Sequence, residues 1–79
     1  MLSSKDKKSI LEWLILQRNL KGITQEQLAT LLKKPQSYIS KYESGERKLG
    51  LYEFIEICKI MKVDPSTQIS RLINDKNTN

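Results

Sequence analysis

The sequence predicts an all-α domain of five helices, and three observations on its 79 residues carry that prediction. Apolar residues recur at three- and four-residue spacing along most of the chain. Capping residues mark where successive segments start and stop. No stretch alternates apolar and polar residues as a strand would. Seventy-nine residues make one domain, read as 1–79 with its packed part over about 5–73, and 38% hydrophobic content is enough for a modest helical core.

The first helix is expected from about Lys5 to Leu20, with Ser3 or Ser4 as cap and Gly22 just past its end. Ile10, Leu11 and Leu14 form one face, and Arg18 falls on it, where a charge is costly without a partner. Trp13, Leu16 and Leu20 form a second stripe about opposite, to be covered by the fifth helix or used as a subunit or partner interface. Lys5, Lys7 and Lys8 ahead of this apolar stretch superficially resemble a secretory leader. Glu12 interrupts the stretch, Gln17 and Arg18 end it, and no small-residue cleavage site follows, so it reads as an amphipathic helix of a cytoplasmic protein. Nothing approaches the length of a membrane span.

The second helix, Gln25 to about Lys33, carries the fullest start signal. Thr24 and Gln27 have capping-box spacing, and Ile23 and Leu28 have that of a hydrophobic staple. Leu28, Leu31 and Leu32 make its apolar stripe, with small Ala29 at the edge. Gln25 lies in the first turn, where free amides and the helix dipole favour a phosphate; plain solvation is the other reading. The third helix runs from Pro35 or Gln36 to Ser44 and closes on Gly45, suited to a left-handed C-terminal position. At 100° per residue, Gln36, Ser40, Ser44, Ser37 and Lys41 span an arc of roughly 140°, with Pro35, Ile39 and Tyr42 opposite. Amides, hydroxyls and an ammonium held outward in this way suit the base-pair edges of a DNA major groove.

Residues 46–50 (ERKLG) read as a polar loop. The fourth helix, about Leu51 to Lys62, sets Leu51, Phe54, Ile55, Cys58 and Met61 on a core-facing stripe. Asp64 as N-cap and Pro65 at the first helical position open a fifth helix with Ile69, Leu72 and Ile73 as its apolar residues, and residues 75–79 read as a frayed tail.

Net charge is +5, and its distribution is uneven. Residues 1–50 hold ten Lys or Arg against five Asp or Glu, whereas residues 51–79 hold four of each. The paired short helices therefore lie in the positive half, where an anionic duplex would dock. A single cysteine, Cys58, excludes an intrachain disulfide and a thiolate metal cluster, and the absence of His removes the usual zinc and acid/base chemistry. Cys58 reads as a small core residue. No catalytic, metal or cofactor site is expected.

With T-Q-E-Q-L-A opening the second helix and S-Y-I-S-K-Y-E-S-G running through the third, the chain resembles the Cro and phage-repressor (XRE) type of helix-turn-helix domain over residues 5–73. Gln25, Leu28, Ala29, Ile39, Ser40, Glu43 and Gly45 stand where that pattern expects them. The resemblance implies a five-helix, lambda-repressor-like fold whose helix-turn-helix occupies 24–45. It further implies a transcriptional regulator binding double-stranded DNA as a dimer, with Gln36, Ser37 and Lys41 reading bases and Gln25 clamping a phosphate. Two residues depart from the pattern: Lys33 stands at a turn position often filled by Gly, and Lys34 where an apolar residue is frequent.

Side-chain chemistry fits this assignment. Gln36 can pair with adenine and Lys41 with guanine, while Ser37 and Ser40 are less selective. Lys34, Ser44, Arg47 and Lys48 flank the third helix as candidates for backbone contacts, with simple solvation the alternative for the last two. Tyr38 lies at the edge of the polar arc, to reach a phosphate with its hydroxyl or simply to pack. Arg18 and Glu43 are expected to form a structural ion pair between the first and third helices, as the family commonly has. A homodimer through the fourth and fifth helices is expected, using exposed members of Tyr52, Ile57, Ile60, Leu72 and Ile73, with Trp13 and Leu16 as second choice. The alternative is an antitoxin-like or adaptor module that uses the scaffold to bind another protein.

Overall fold

Ser3 and Asp6 cap each other reciprocally: the Ser3 hydroxyl accepts the Asp6 amide and the Asp6 carboxylate accepts the Ser3 amide. This box starts α1 (Ser4–Leu20) in the computed structural model, which describes residues 2–75. Gly22 follows at φ +69 and turns the chain toward α2 (Gln25–Leu32). There Thr24 and Gln27 close the expected box at 3.0 and 2.9 Å. α2 stops at Leu32 because Lys33 adopts the left-handed region at φ 58, a conformation that costs a residue with a Cβ roughly 1 kcal/mol. Pro35, extended, precedes α3 (Gln36–Ser44), and Gly45 at φ 84 ends it.

α4 (Leu51–Met61) begins after Gly50, whose amide is accepted by Glu53, and ends on Lys62, also left-handed at φ 58. Before α5 (Ser66–Asp75) the Asp64 carboxylate accepts the Ser66 amide at 2.9 Å. The helix thus begins one residue later than expected, with Pro65 outside it. α5 includes Asp75, so the frayed tail does not begin there; the remaining tail residues, 76–79, lie outside the described residues.

The core is Leu14 of α1, Leu28, Ala29 and Leu32 of α2, Ile39 and Tyr42 of α3, and Ile57, Cys58 and Met61 of α4. Each fully buried Leu or Ile among them contributes about 1.5–3 kcal/mol by leaving water. α2 and α3 pack against one another, α1 crosses α3, α2 meets α4, and α5 leans on α1. Gln68 is buried on α5 and donates to the Ser9 hydroxyl, a polar link between these two helices that the sequence pattern did not reveal.

Several apolar residues lie elsewhere than the periodicity placed them. Leu51 and Ile55 are exposed, whereas Ile57, expected on the outside, is fully buried. α4 is apolar around most of its circumference, and its core face is turned by roughly 50° from the stripe read in the sequence. Leu31 is exposed because Leu28, Ala29 and Leu32 already fill the contact of α2. Pro35 is exposed at the start of α3, leaving Ile39 and Tyr42 to hold the helix from behind. On α1, Trp13 packs against the core, while Leu16 and Leu20 stay exposed despite the neighbouring α5.

Candidate nucleic-acid interface

α3 presents Gln36, Ser37 and Lys41 as exposed side chains, with Ser40 half-buried beside them. Two of the serines spend their single proton locally. The Ser40 hydroxyl donates to the Ser37 carbonyl at 3.2 Å and the Ser44 hydroxyl to that of Lys41 at 3.1 Å. Ser44 also accepts the Glu46 amide, so its hydroxyl closes the end of α3 and has no proton left for a phosphate. Ser40, its proton so used, retains only acceptor capacity.

The back of α3 is fixed by an ion pair to α1. Arg18 Nε donates to Glu43 Oε2 at 2.7 Å and Nη2 to Oε1 at 3.0 Å, a two-point fork, with the side chains 11% and 5% exposed. Arg18 Nη1 also donates to the Ile23 carbonyl at 2.9 Å, tying α1 to the entry of α2. The bond to Glu43 raises the guanidinium pKa despite burial, so the charge is secure. Gln25 Nε2 donates to Glu43 Oε1 at 2.9 Å, and Gln36 Nε2 donates to Gln25 Oε1 at 3.4 Å. A chain of polar contacts therefore runs from α1 to the first residue of α3.

A second cluster sits between α3 and the start of α4. Glu53 accepts from the Gly50 amide, the Tyr38 hydroxyl and Arg47 Nη2 at 2.9, 2.7 and 2.9 Å. These bonds, the Gly50 amide first, hold its carboxyl at about 2. Burial, then the bond to Glu53, pushes the Tyr38 phenol up to about 12. Its hydroxyl is thereby committed to Glu53. Lys34 Nζ and Arg47 Cζ lie 5.4 and 5.0 Å from the Tyr38 ring centroid, positions for cation–π attraction. Tyr38 meets Tyr42 edge-on with centroids 5.9 Å apart. Tyr42 itself is fully buried, its hydroxyl has no partner among the described residues, and burial pushes its pKa up.

Lys48 is exposed, as is Arg47 apart from its Glu53 bond. Glu53 was missed in the sequence; its position three residues after Gly50, the spacing of half a capping box, was the available signal. Among the described residues no group of three or more His, Cys, Asp or Glu could hold a metal ion, and no helix is long and apolar enough to cross a membrane.

Two short helices locked about a tight turn, the second anchored from behind and bare in front, define a helix-turn-helix protein. The helix-turn-helix family model matches residues 14–68, and the chain belongs to this family, in its Cro/C1 (XRE) type, a family of DNA-binding transcriptional regulators. A solved structure described as an XRE-family like protein from Pseudomonas syringae pv. tomato str. DC3000 is similar at 36% identity and a TM-score of 0.81, over 95% of this chain and 89% of that one. No curated protein sequence matches.

Proposed function

We propose that the chain is a sequence-specific regulator of transcription that binds double-stranded DNA as a dimer on an inverted repeat, in the cytoplasm of a prokaryotic cell, and carries no catalytic activity. The supporting observation is α3 itself: its back is held by fully buried Ile39 and Tyr42 and by the Arg18–Glu43 fork, while Gln36, Ser37 and Lys41 stand exposed. Gln36, Ser37, Ser40 and Lys41 read base edges, Ser40 as an acceptor. Gln25, Lys34, Arg47 and Lys48 face phosphates, and the three cations among them set position without specifying sequence. Tyr38 and Ser44 support the helix and make no DNA contact.

One such helix reads only a few base pairs, too little against genomic competition. A twofold axis would set two copies about 34 Å apart on successive major-groove faces. The neutral half supplies the interface: Leu51 is 70% and Tyr52 85% exposed on α4, Ile55 is exposed on the same helix and Ile73 on α5, and Ile57 is withdrawn into the core. Exposed Leu16 and Leu20 on α1 favour, as a second reading, a partner protein bound to the same scaffold.

Selection of bound sequences from random duplex DNA, with sedimentation of protein and complex, tests this. Two half-sites, a two-to-one complex and a logarithmic salt slope of about −0.9 per phosphate contacted are expected. Gln36→Ala and Lys41→Ala should each relax preference at particular base pairs, by about 1–3 kcal/mol on the best site, and Lys48→Ala should weaken all sequences alike. Binding indifferent to salt and sequence overturns the assignment. One monomer on one asymmetric site overturns only the dimer.

A further inference from the structure

We infer that Glu43 sets the base preferred by Gln36, by fixing which way the Gln25 amide and, through it, the Gln36 amide point. The inference rests on the reading that Gln36 faces DNA bases. An amide can present either its oxygen or its nitrogen to a neighbour, so an isolated glutamine on a recognition helix reads both donor and acceptor patterns. Here the ambiguity is removed at the far end of the chain of contacts. The Glu43 carboxylate, held in the Arg18 fork, has only acceptors to offer, so Gln25 must turn its NH2 toward it, at 2.9 Å. Gln25 then has only its oxygen for Gln36, and Gln36 must donate across the 3.4 Å contact. What remains on Gln36 is its own oxygen and one N–H. That acceptor-plus-donor pair matches N6 and N7 of adenine and opposes guanine, which shows two acceptors in the major groove. Glu43 is buried away from the helix front and acts as a positioning residue through Gln25.

Arg18→Met/Glu43→Gln tests the relay with the shape at position 43 preserved; Arg18 is changed as well because its Nη2 donates to the same Oε1 that accepts Gln25 and would otherwise hold the new amide oxygen there. Without that donor the glutamine offers Gln25 its oxygen or its NH2 alike, and both downstream amides lose their fixed direction. The base pair relaxed by Gln36→Ala is located first, in the wild-type background. At that pair, and no other, the double variant should shrink the adenine-over-guanine preference from the factor of about 5 to 150 that a bidentate contact confers to near unity. Gln25→Met, which leaves the Arg18–Glu43 fork intact, should abolish the same preference and answers the question if the double variant does not fold. In the free protein, NMR couplings across the hydrogen bonds should join Gln25 Nε2 to the Glu43 carboxylate and Gln36 Nε2 to the Gln25 amide carbonyl. Wild-type preference retained in the folded variants, or a coupling from Gln25 Nε2 to the Gln36 amide carbonyl in the wild type, overturns the relay. A wild type that selects no sequence overturns the DNA reading instead, and the couplings still decide how the amides point.

Discussion

Arg18 and Arg47 each meet a carboxylate, at 2.7 and 2.9 Å, yet the two pairs do different things for the same helix. The first is closed: two-point, nearly out of water, with Arg18 Nη1 donating to the Ile23 carbonyl and to Asn19 Oδ1. The second is open: one-point, with Arg47 48% and Glu53 29% exposed, and with the cation also over the Tyr38 ring. A closed pair fixes where α3 lies. An open pair holds Arg47 beside α3 while leaving it free to change partner. Similar distances thus give an anchor in one place and a poised contact in the other, and burial makes the difference.

The largest test breaks the closed pair. Arg18→Met or Glu43→Leu should each lose on the order of 3 kcal/mol in urea denaturation, because the surviving charge is left buried and alone. The double variant should recover part of that loss; strict additivity would mean the two side chains do not act together. Between the clusters lies the Tyr42 hydroxyl, buried and unpartnered. Tyr42→Phe should therefore gain about 1 kcal/mol in thermal unfolding, and a loss of that size would reveal a hidden partner.

The smallest effect belongs to the open pair and is read against pH. Glu53 is held at about 2 rather than 4.5, so its contribution is complete above 4.5 and drains away as pH falls toward 2. The urea midpoint of the wild type should converge on that of Glu53→Gln over this window. A constant gap between them would show that Glu53 does not carry the acid sensitivity.

The same contrast explains what the sequence could disclose. Arg18 stands out because a charge on an apolar stripe demands a partner, and Glu43, between the two faces of α3, was the natural one. Helix starts at Thr24 and stops at Gly45 were legible because caps are local chemistry. Glu53 was not, since its partners Tyr38 and Arg47 arrive from across a loop whose path no spacing rule gives. That the Ser44 hydroxyl donates to its own helix was not legible, because such a serine looks, in sequence, like one that faces outward. Leu51, Ile55 and Ile57 were misplaced because a helix apolar nearly all round does not declare its inner side.

Cys58 gives the molecule a gauge of its own opening. The thiol is 4% exposed, and burial pushes its pKa up to about 11, so in the native fold it is both shielded and protonated. An alkylating reagent can capture it only in the moments when α4 swings away from α2 and α3, and the capture rate then measures how often that happens. Adding duplex DNA to such a reaction would show how much a bound ligand on one side of the domain slows the breathing of the other.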